Sequence, residues 1–268
     1  MQPGKIPDIQ IKEAVFMFYD KFSVSGKGIL VTGGGQGIGR CVAENLASCG
    51  AMVGILDVNA DTAAQTASYI GKNALAITCD VTNQEQVGEA VEVFVRHFGK
   101  LDAVFNNAGI AQHVSSLEVS PEDFQRVFNV NLNGIFYVAQ MAAREFVRAG
   151  TGGSIVNTAS MSGIIVNVPQ CQASYNSSKA AVIHLTKTLA VEWAQKGIRV
   201  NCISPGYIFT EMTGANPADR IKSWEEMIPM RRMGTPEELV GAVIYLLSDA
   251  STYTSGLDIV IDGCFTCI

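Results

Sequence analysis

Tyr175 and Lys179 stand four residues apart in Tyr175-Asn176-Ser177-Ser178-Lys179, at the start of an apolar helical stretch. Positions i and i+4 of a helix share a face, so the ammonium is expected beside the phenol, where it would favour the phenolate. A phenol ordinarily titrates near pH 10, roughly three units too high to exchange protons readily at neutral pH. A lowered pKa would make Tyr175 an acid or base. Earlier in the chain, Gly33-Gly34-Gly35-Gln36-Gly37-Ile38-Gly39 offers backbone N–H groups to a phosphate. A proton-transfer group and a nucleotide site therefore occur together.

The glycine turn follows the apolar run Ile29-Leu30-Val31 and precedes a helical pattern from Cys41 to Leu46. Strand, turn and helix in that order let the backbone approach a pyrophosphate while the helix N-terminus faces the anion. Asp57 follows Gly39 by eighteen residues and ends the next apolar run. A carboxylate there accepts hydrogen bonds from the adenosine ribose and repels a 2′-phosphate, which favours NAD over NADP. Gln36 and Val58-Asn59-Ala60 supply no cation for such a phosphate, and Arg40 is the only cation nearby. Asp57 would serve equally well as an N-cap for the following helix.

The elements that must position these residues alternate along the chain. Strands are expected at 28–32, 52–56, 74–79, 102–105, 153–159, 198–203 and 258–261, and amphipathic helices near 37–49, 60–71, 83–98, 122–149, 175–196 and 236–248. This rhythm predicts an α/β fold: a single Rossmann-type, doubly wound parallel sheet of about seven strands, with helices on both faces. The active crevice should lie beyond the C-terminal ends of the strands. Residues 1–26 form an N-terminal extension with a short helix over 12–22, and 27–268 form the dinucleotide-binding catalytic domain. Near 210–230, Gly214, Pro217 and Pro229 interrupt a mixture of Met212, Trp224 and Met227 that is expected to act as a substrate lid.

Composition narrows the function. Hydrophobic residues make up 48% of the 268 positions and charged residues 16%, as suits a well-buried globular core. A net charge of -6 gives no support for nucleic acid or an acidic membrane as partner. The apolar runs are too short to span a bilayer and the N-terminus lacks a secretory pattern, so a cytoplasmic protein is expected. The seven cysteines fall mostly within apolar segments, which suggests buried free thiols. Cys264-Phe265-Thr266-Cys267 stands alone at the C-terminus, and His97, His113 and His184 share no ligand spacing, so no metal is expected.

Thr32-Gly33-x3-Gly37-Ile38-Gly39, Asn106-Asn107-Ala108-Gly109, Tyr175-x3-Lys179 and Pro205-Gly206 occur together, and from about residue 25 onward the chain resembles a short-chain dehydrogenase/reductase. The resemblance implies that Tyr175 exchanges a proton with the substrate oxygen and that Lys179 lowers its pKa and binds the nicotinamide ribose. It also implies that Ser160 polarises the carbonyl, with Ser162 as the rival serine, and that Asn131 supports a water-mediated relay. Asp80 and Val81 would lie beside the adenine, Asn107 near the adenosine ribose, and Ile208 and Thr210 near the carboxamide and phosphates. Asn107 could instead brace the strands, Asp80 could cap the helix near Gln84, and Thr210 could be an ordinary loop hydroxyl. The family also implies a homotetramer paired through 122–149 and 175–196.

Between Ser160 and Tyr175 the chain mixes apolar residues with the amides of Asn167, Gln170 and Gln172. Amides both donate and accept, as a polyhydroxylated substrate requires, though they suit a solvent-facing loop equally. Ser160-Met161-Ser162-Gly163 with Asn167-Val168-Pro169-Gln170 resembles the polyol branch of mannitol, arabinitol and sorbose-type dehydrogenases. The implied reaction is NAD-dependent interconversion of a sugar alcohol and its ketose. The alternatives are a polyol phosphate, met by Arg220, Lys222, Arg231 and Arg232; another short-chain carbonyl reductase acting on a 3-oxoacyl thioester, steroid or diketone; and a non-catalytic NAD-binding sensor.

Overall fold

The computed structural model describes residues 19–268. Seven strands, β1 (Gly28–Thr32), β2 (Met52–Asp57), β3 (Ala74–Thr78), β4 (Ala103–Asn106), β5 (Gly153–Thr158), β6 (Ile198–Pro205) and β7 (Asp258–Ile261), form one sheet in the order β3-β2-β1-β4-β5-β6-β7. Every pairing is parallel. The chain winds outward from β1 to β3 and then crosses to β4 on the other side of β1. That reversal opens a crevice beyond the C-terminal ends of β1 and β4.

Alternating side chains of each strand feed two cores, because successive residues point to opposite faces. Ile29, Val31 and Ile55 pack with Val42 and Leu46 of the helix Gly37–Ser48 and with Leu239 and Val243 of Glu237–Leu247. Leu30, Leu56 and Val104 pack on the other face with Phe94 of Gln84–Phe98, Val138 and Phe146 of Ile135–Ala149, and Leu189 of Ala173–Trp193. Gly54 in β2 is where Phe94 comes closest to the sheet: a Cβ there would stand 2.5 Å from Leu30 and 2.6 Å from Phe94.

The strand expectations hold to within a residue or two. One helical expectation needs correction. The segment read as one helix over 122–149 is three pieces: an α-helix Pro121–Phe128, a π-helical stretch Asn129–Gly134 and the helix Ile135–Ala149. Asn129, Asn131, Asn133 and Gly134 are poor helix formers, and a wide π turn at such a run re-aims the side chains beyond it. The 210–230 segment carries two short helices, Glu211–Gly214 and Ala218–Met227, split at Pro217.

The buried-thiol expectation is also overturned in part. Cys79 and Cys202 are buried and Cys41 is half-buried, but Cys49, Cys171, Cys264 and Cys267 are exposed; all seven are free. Most of the helix expected over 12–22 lies outside the described residues. The chain leading into β1 packs on the body, with Val24 buried in the core and the Phe22 ring 6.2 Å from Tyr245. No helix among the described residues is long and apolar enough to cross a membrane.

Candidate active site

A cavity of about 860 Å³ opens at the C-terminal ends of the strands. Thr32, the last residue of β1, stitches its two central loops together: its hydroxyl accepts from the backbone N–H groups of Asn107 and Ala108, each at 2.9 Å. The glycine turn therefore lies against the Asn106-Asn107-Ala108-Gly109 loop. Gly33 and Gly37 adopt positive φ (62° and 53°), and a side chain on Gly39 would collide with the Gly33 carbonyl. The helix Gly37–Ser48 begins at Gln36 with no side-chain cap and no acidic residue in its first turn. Its free N–H groups and positive dipole end suit a pyrophosphate.

At one end of the cavity lies Asp57. Its Oδ2 accepts from Gly35 N–H and its Oδ1 from Asn59 N–H, both at 3.0 Å, which leaves lone pairs for ribose hydroxyls. It does not cap the next helix, because Asn59 does so with bonds to Asp61 and Thr62. Likewise Asn83, not Asp80, caps the helix at Gln84, while Asp80 takes the N–H and hydroxyl of Thr82 at 2.9 and 2.8 Å. Asp80 and Val81 both edge the cavity. Asn107 lines it too and also braces the strands, its amide donating to Thr32 and Gly33 carbonyls. Thr210 combines cavity lining with a reciprocal cap shared with Thr213.

The other end gathers Ser160, Tyr175 and Lys179. Ser160 follows β5 in extended backbone, its hydroxyl accepting from Ser162 N–H at 3.1 Å and hydrogen-bonding the Tyr175 phenol. Ser162 faces away from the cavity, with its hydroxyl given to Asn167 at 2.6 Å, so the geometry favours Ser160 over its rival. Lys179 is 3% exposed and donates to the Thr158 carbonyl at 2.7 Å. Asn131 sits in the π-helical stretch, pairing with both backbone groups of Ile110 (2.8 and 2.9 Å) and with the Ser178 hydroxyl at 3.1 Å. It thereby clamps the loop after β4 against the helix bearing Tyr175 and Lys179.

One electrostatic expectation fails. The Tyr175 phenol is pushed above its ordinary value by burial, opposed only by the Ser160 hydrogen bond, and burial pulls Lys179 down to about 8. The reason is geometric. The ammonium lies 5.7 Å from the centre of the Tyr175 ring, over its face, and its hydrogen bond goes to Thr158.

Asn167 and Gln170, expected at the substrate, do not line the cavity. Asn167 is 2% exposed and bound to Ser162, Gln172 and Tyr207, while Gln170 bridges Tyr207 and Trp224. The cations considered for a phosphate are also elsewhere. Arg232 is held bidentate by Glu238 at 2.7 Å, Arg231 by the Glu226 carbonyl, and Arg220 by Asn216 at 3.3 Å; Lys222 is exposed. Glu122, Arg126, Asn129 and Glu211 line the cavity and were not foreseen.

A family model described as enoyl-(acyl carrier protein) reductase matches residues 33–266. A probable NADP-dependent mannitol dehydrogenase of Yarrowia lipolytica is 44% identical over 92% of this chain and 90% of that protein. A sorbose reductase of Candida albicans is 42% identical over the same shares, and a ribulose-forming D-arabinitol 2-dehydrogenase of Candida tropicalis is 38% identical over 92% and 94%. The crystal structure of a short-chain type dehydrogenase/reductase from Mycobacterium marinum superposes with a TM-score of 0.91 at 46% identity, covering 94% of this chain and all of that one.

Proposed function

The chain belongs to the short-chain dehydrogenase/reductase family, and from that premise we propose that it interconverts a secondary alcohol of a sugar alcohol and the matching ketose, with NAD as cofactor. The observation that carries this reading is the convergence of Ser160, Tyr175 and Lys179 on one end of a cavity whose other end is Asp57. The mannitol, sorbose and arabinitol enzymes among the relatives support a polyol as substrate. Against a polyol phosphate stands the placement of Arg220, Lys222, Arg231 and Arg232, none of which lines the cavity.

Bound NAD would exchange a hydride with the carbinol carbon. Tyr175 moves the proton at the substrate oxygen, and Ser160 hydrogen-bonds that oxygen as charge develops on it. Lys179 binds the nicotinamide ribose, and Asn131 supports the relay that returns the proton to water. The catalytic unit spans 27–268, with 210–230 covering the substrate.

NAD is favoured over NADP by two groups. Asp57 presents a carboxylate where the ribose 2′ position would lie, and Arg40 is committed to Glu44 at 2.7 Å. A 2′-phosphate would therefore meet an anion, with the nearby guanidinium already engaged. The test is NADH absorbance with a panel of hexitols and pentitols, with NAD and NADP run in parallel. Turnover confined to a 3-oxoacyl thioester or a steroid would sink the substrate assignment, and a preference for NADP the cofactor assignment. Asp57→Ala should raise the KM for NAD roughly 10- to 100-fold, the worth of a charge-assisted hydrogen-bond pair, and erase the discrimination against NADP.

A groove of about 470 Å³ lies between the helices Ile135–Ala149 and Ala173–Trp193, lined by Phe136, Ala143, Val147, Leu189 and Trp193. These apolar residues, with Arg144, Arg148, Glu192 and Lys196 also lining the groove, support pairing of the two helices in a homotetramer. Light scattering after size exclusion should give four times the 28.6 kDa chain mass, and a monomer peak would remove the assignment.

A further inference from the structure

The segments on either side of the substrate end are joined by a closed ring of side chains that stands behind the cavity wall. Gln170 Nε2 donates to the Tyr207 hydroxyl at 2.7 Å, and Trp224 Nε1 donates to Gln170 Oε1 at 3.3 Å. The Tyr207 and Trp224 rings close the circle by stacking, with centroids 4.6 Å apart and planes 14° from parallel. Tyr207 is 9% exposed and Trp224 2%, so the stack is shielded from water, while Gln170 at its edge is half-buried. Gln170 belongs to the loop between Ser160 and Tyr175, Tyr207 to the turn after β6, and Trp224 to the helix Ala218–Met227. Three segments distant in sequence thus meet at one amide.

The ring continues toward the reacting groups. Asn167 donates to the Tyr207 hydroxyl at 3.4 Å and accepts from Ser162 at 2.6 Å. Gln172 donates to Ser162 at 3.3 Å and to Asn176, the neighbour of Tyr175, at 2.7 Å. Gly206 and Ile208, which flank Tyr207, line the cavity, as does Ser160 on the other side. A satisfied network with Ser162, Asn167 and Gln172 buried at its inner end has few alternative arrangements, because a slip there strands a polar group without water.

We propose that Gln170, Tyr207 and Trp224 are positioning residues that set which alcohol the enzyme accepts, by fixing the separation between the Ser160–Tyr175 loop and the Gly206–Thr210 wall. The proposal rests on the reading of this cavity as a polyol site. None of the three lines the cavity. They act through the wall residues beside them, where a displacement of about 1 Å is enough to cost up to 100-fold in rate.

The test compares Tyr207→Phe, which keeps the ring stack and deletes the hydroxyl, with Gln170→Met, which keeps the length and deletes the amide. Each should raise the KM for the preferred polyol about tenfold and change the hexitol-to-pentitol ratio of kcat/KM, with a smaller change in the KM for NAD. The double variant should cost little more than either single one, since both remove the same link. Trp224 and Trp193 are the only tryptophans, so a Trp193→Phe background lets Trp224 emission report the ring without any substrate. Both variants should shift that emission to the red.

An unchanged polyol KM in both variants, or an unchanged Trp224 emission, overturns the proposal. A parallel rise in both KM values that tracks a lowered Tm also overturns it, since that is the signature of a merely structural ring. Should the wild type turn over another carbinol and no polyol, the substrate reading fails by itself, and the same KM comparison with that carbinol decides the ring.

Discussion

Replacing Tyr175 by Phe should lower kcat/KM roughly 10³-fold while leaving the KM for NAD nearly unchanged, because the ring stays and only the proton carrier is lost. The phenol is held above its ordinary pKa by burial, so the neutral form dominates in the free protein at neutral pH. A neutral phenol is the form needed to protonate an alkoxide, so ketose reduction starts from the resting state. Alcohol oxidation needs the phenolate. The signs are therefore opposite: oxidation should rise with pH as the phenol ionises, and reduction should fall over the same interval. Both limbs should vanish in the Phe variant, with NADH absorbance as the assay. A variant that keeps wild-type rates on every active substrate would place the proton transfer elsewhere and falsify the role given to Tyr175.

The sheet was legible because its signal is redundant. Each strand is a short apolar run, each is followed by an amphipathic segment, and the cavity-facing groups stand where the runs end. Ile29-Leu30-Val31 reads as a buried strand without reference to anything distant, and Thr32-Gly33 then has to lie at the crevice. Distances that depend on a third element were not legible. Nothing local to Asp57 says that Asn59 takes over the capping of the next helix and frees the carboxylate for the cavity. Nothing local to Arg40 says that Glu44 claims it, although the i,i+4 spacing was available as a hint.

The misreadings have a common cause. Periodicity reports which face of a helix is apolar and is nearly blind to a single wide turn, so 122–149 read as one helix and the π-helical stretch that carries Asn129 and Asn131 was lost. Amide composition between Ser160 and Tyr175 reported hydrogen-bonding capacity without its direction. Asn167 and Gln170 direct that capacity to Ser162, Tyr207 and Trp224, partners up to 54 residues away. The i,i+4 argument brought Lys179 to the correct face of the helix, yet the ammonium bonds to the strand-end carbonyl of Thr158 and not to the phenol.

Lys179→Met should move activity and stability in opposite directions. The ammonium is buried and receives one backbone carbonyl in place of a carboxylate, and burial draws its pKa down to about 8. In the unfolded chain the same group titrates near its ordinary value of about 10.4. Below pH 8 both states carry the proton, and the full cost of burying the charge is present. As pH rises from about 8 toward about 10.4, the native state sheds the proton while the unfolded state still holds it, so the penalty for the buried charge is progressively relieved and the free-energy balance shifts across that window in the direction that favours folding. The Met variant has no such charge. Urea unfolding should show it more stable than the wild type at pH 7, with the difference shrinking as pH climbs through the window, while kcat/KM falls roughly 10²-fold or more with the loss of the cation beside the reacting groups. Stabilisation together with inactivation is the signature of a group kept for chemistry at a cost to the fold. A variant less stable at pH 7 would instead make Lys179 part of the packing, held by Thr158 for structural reasons alone.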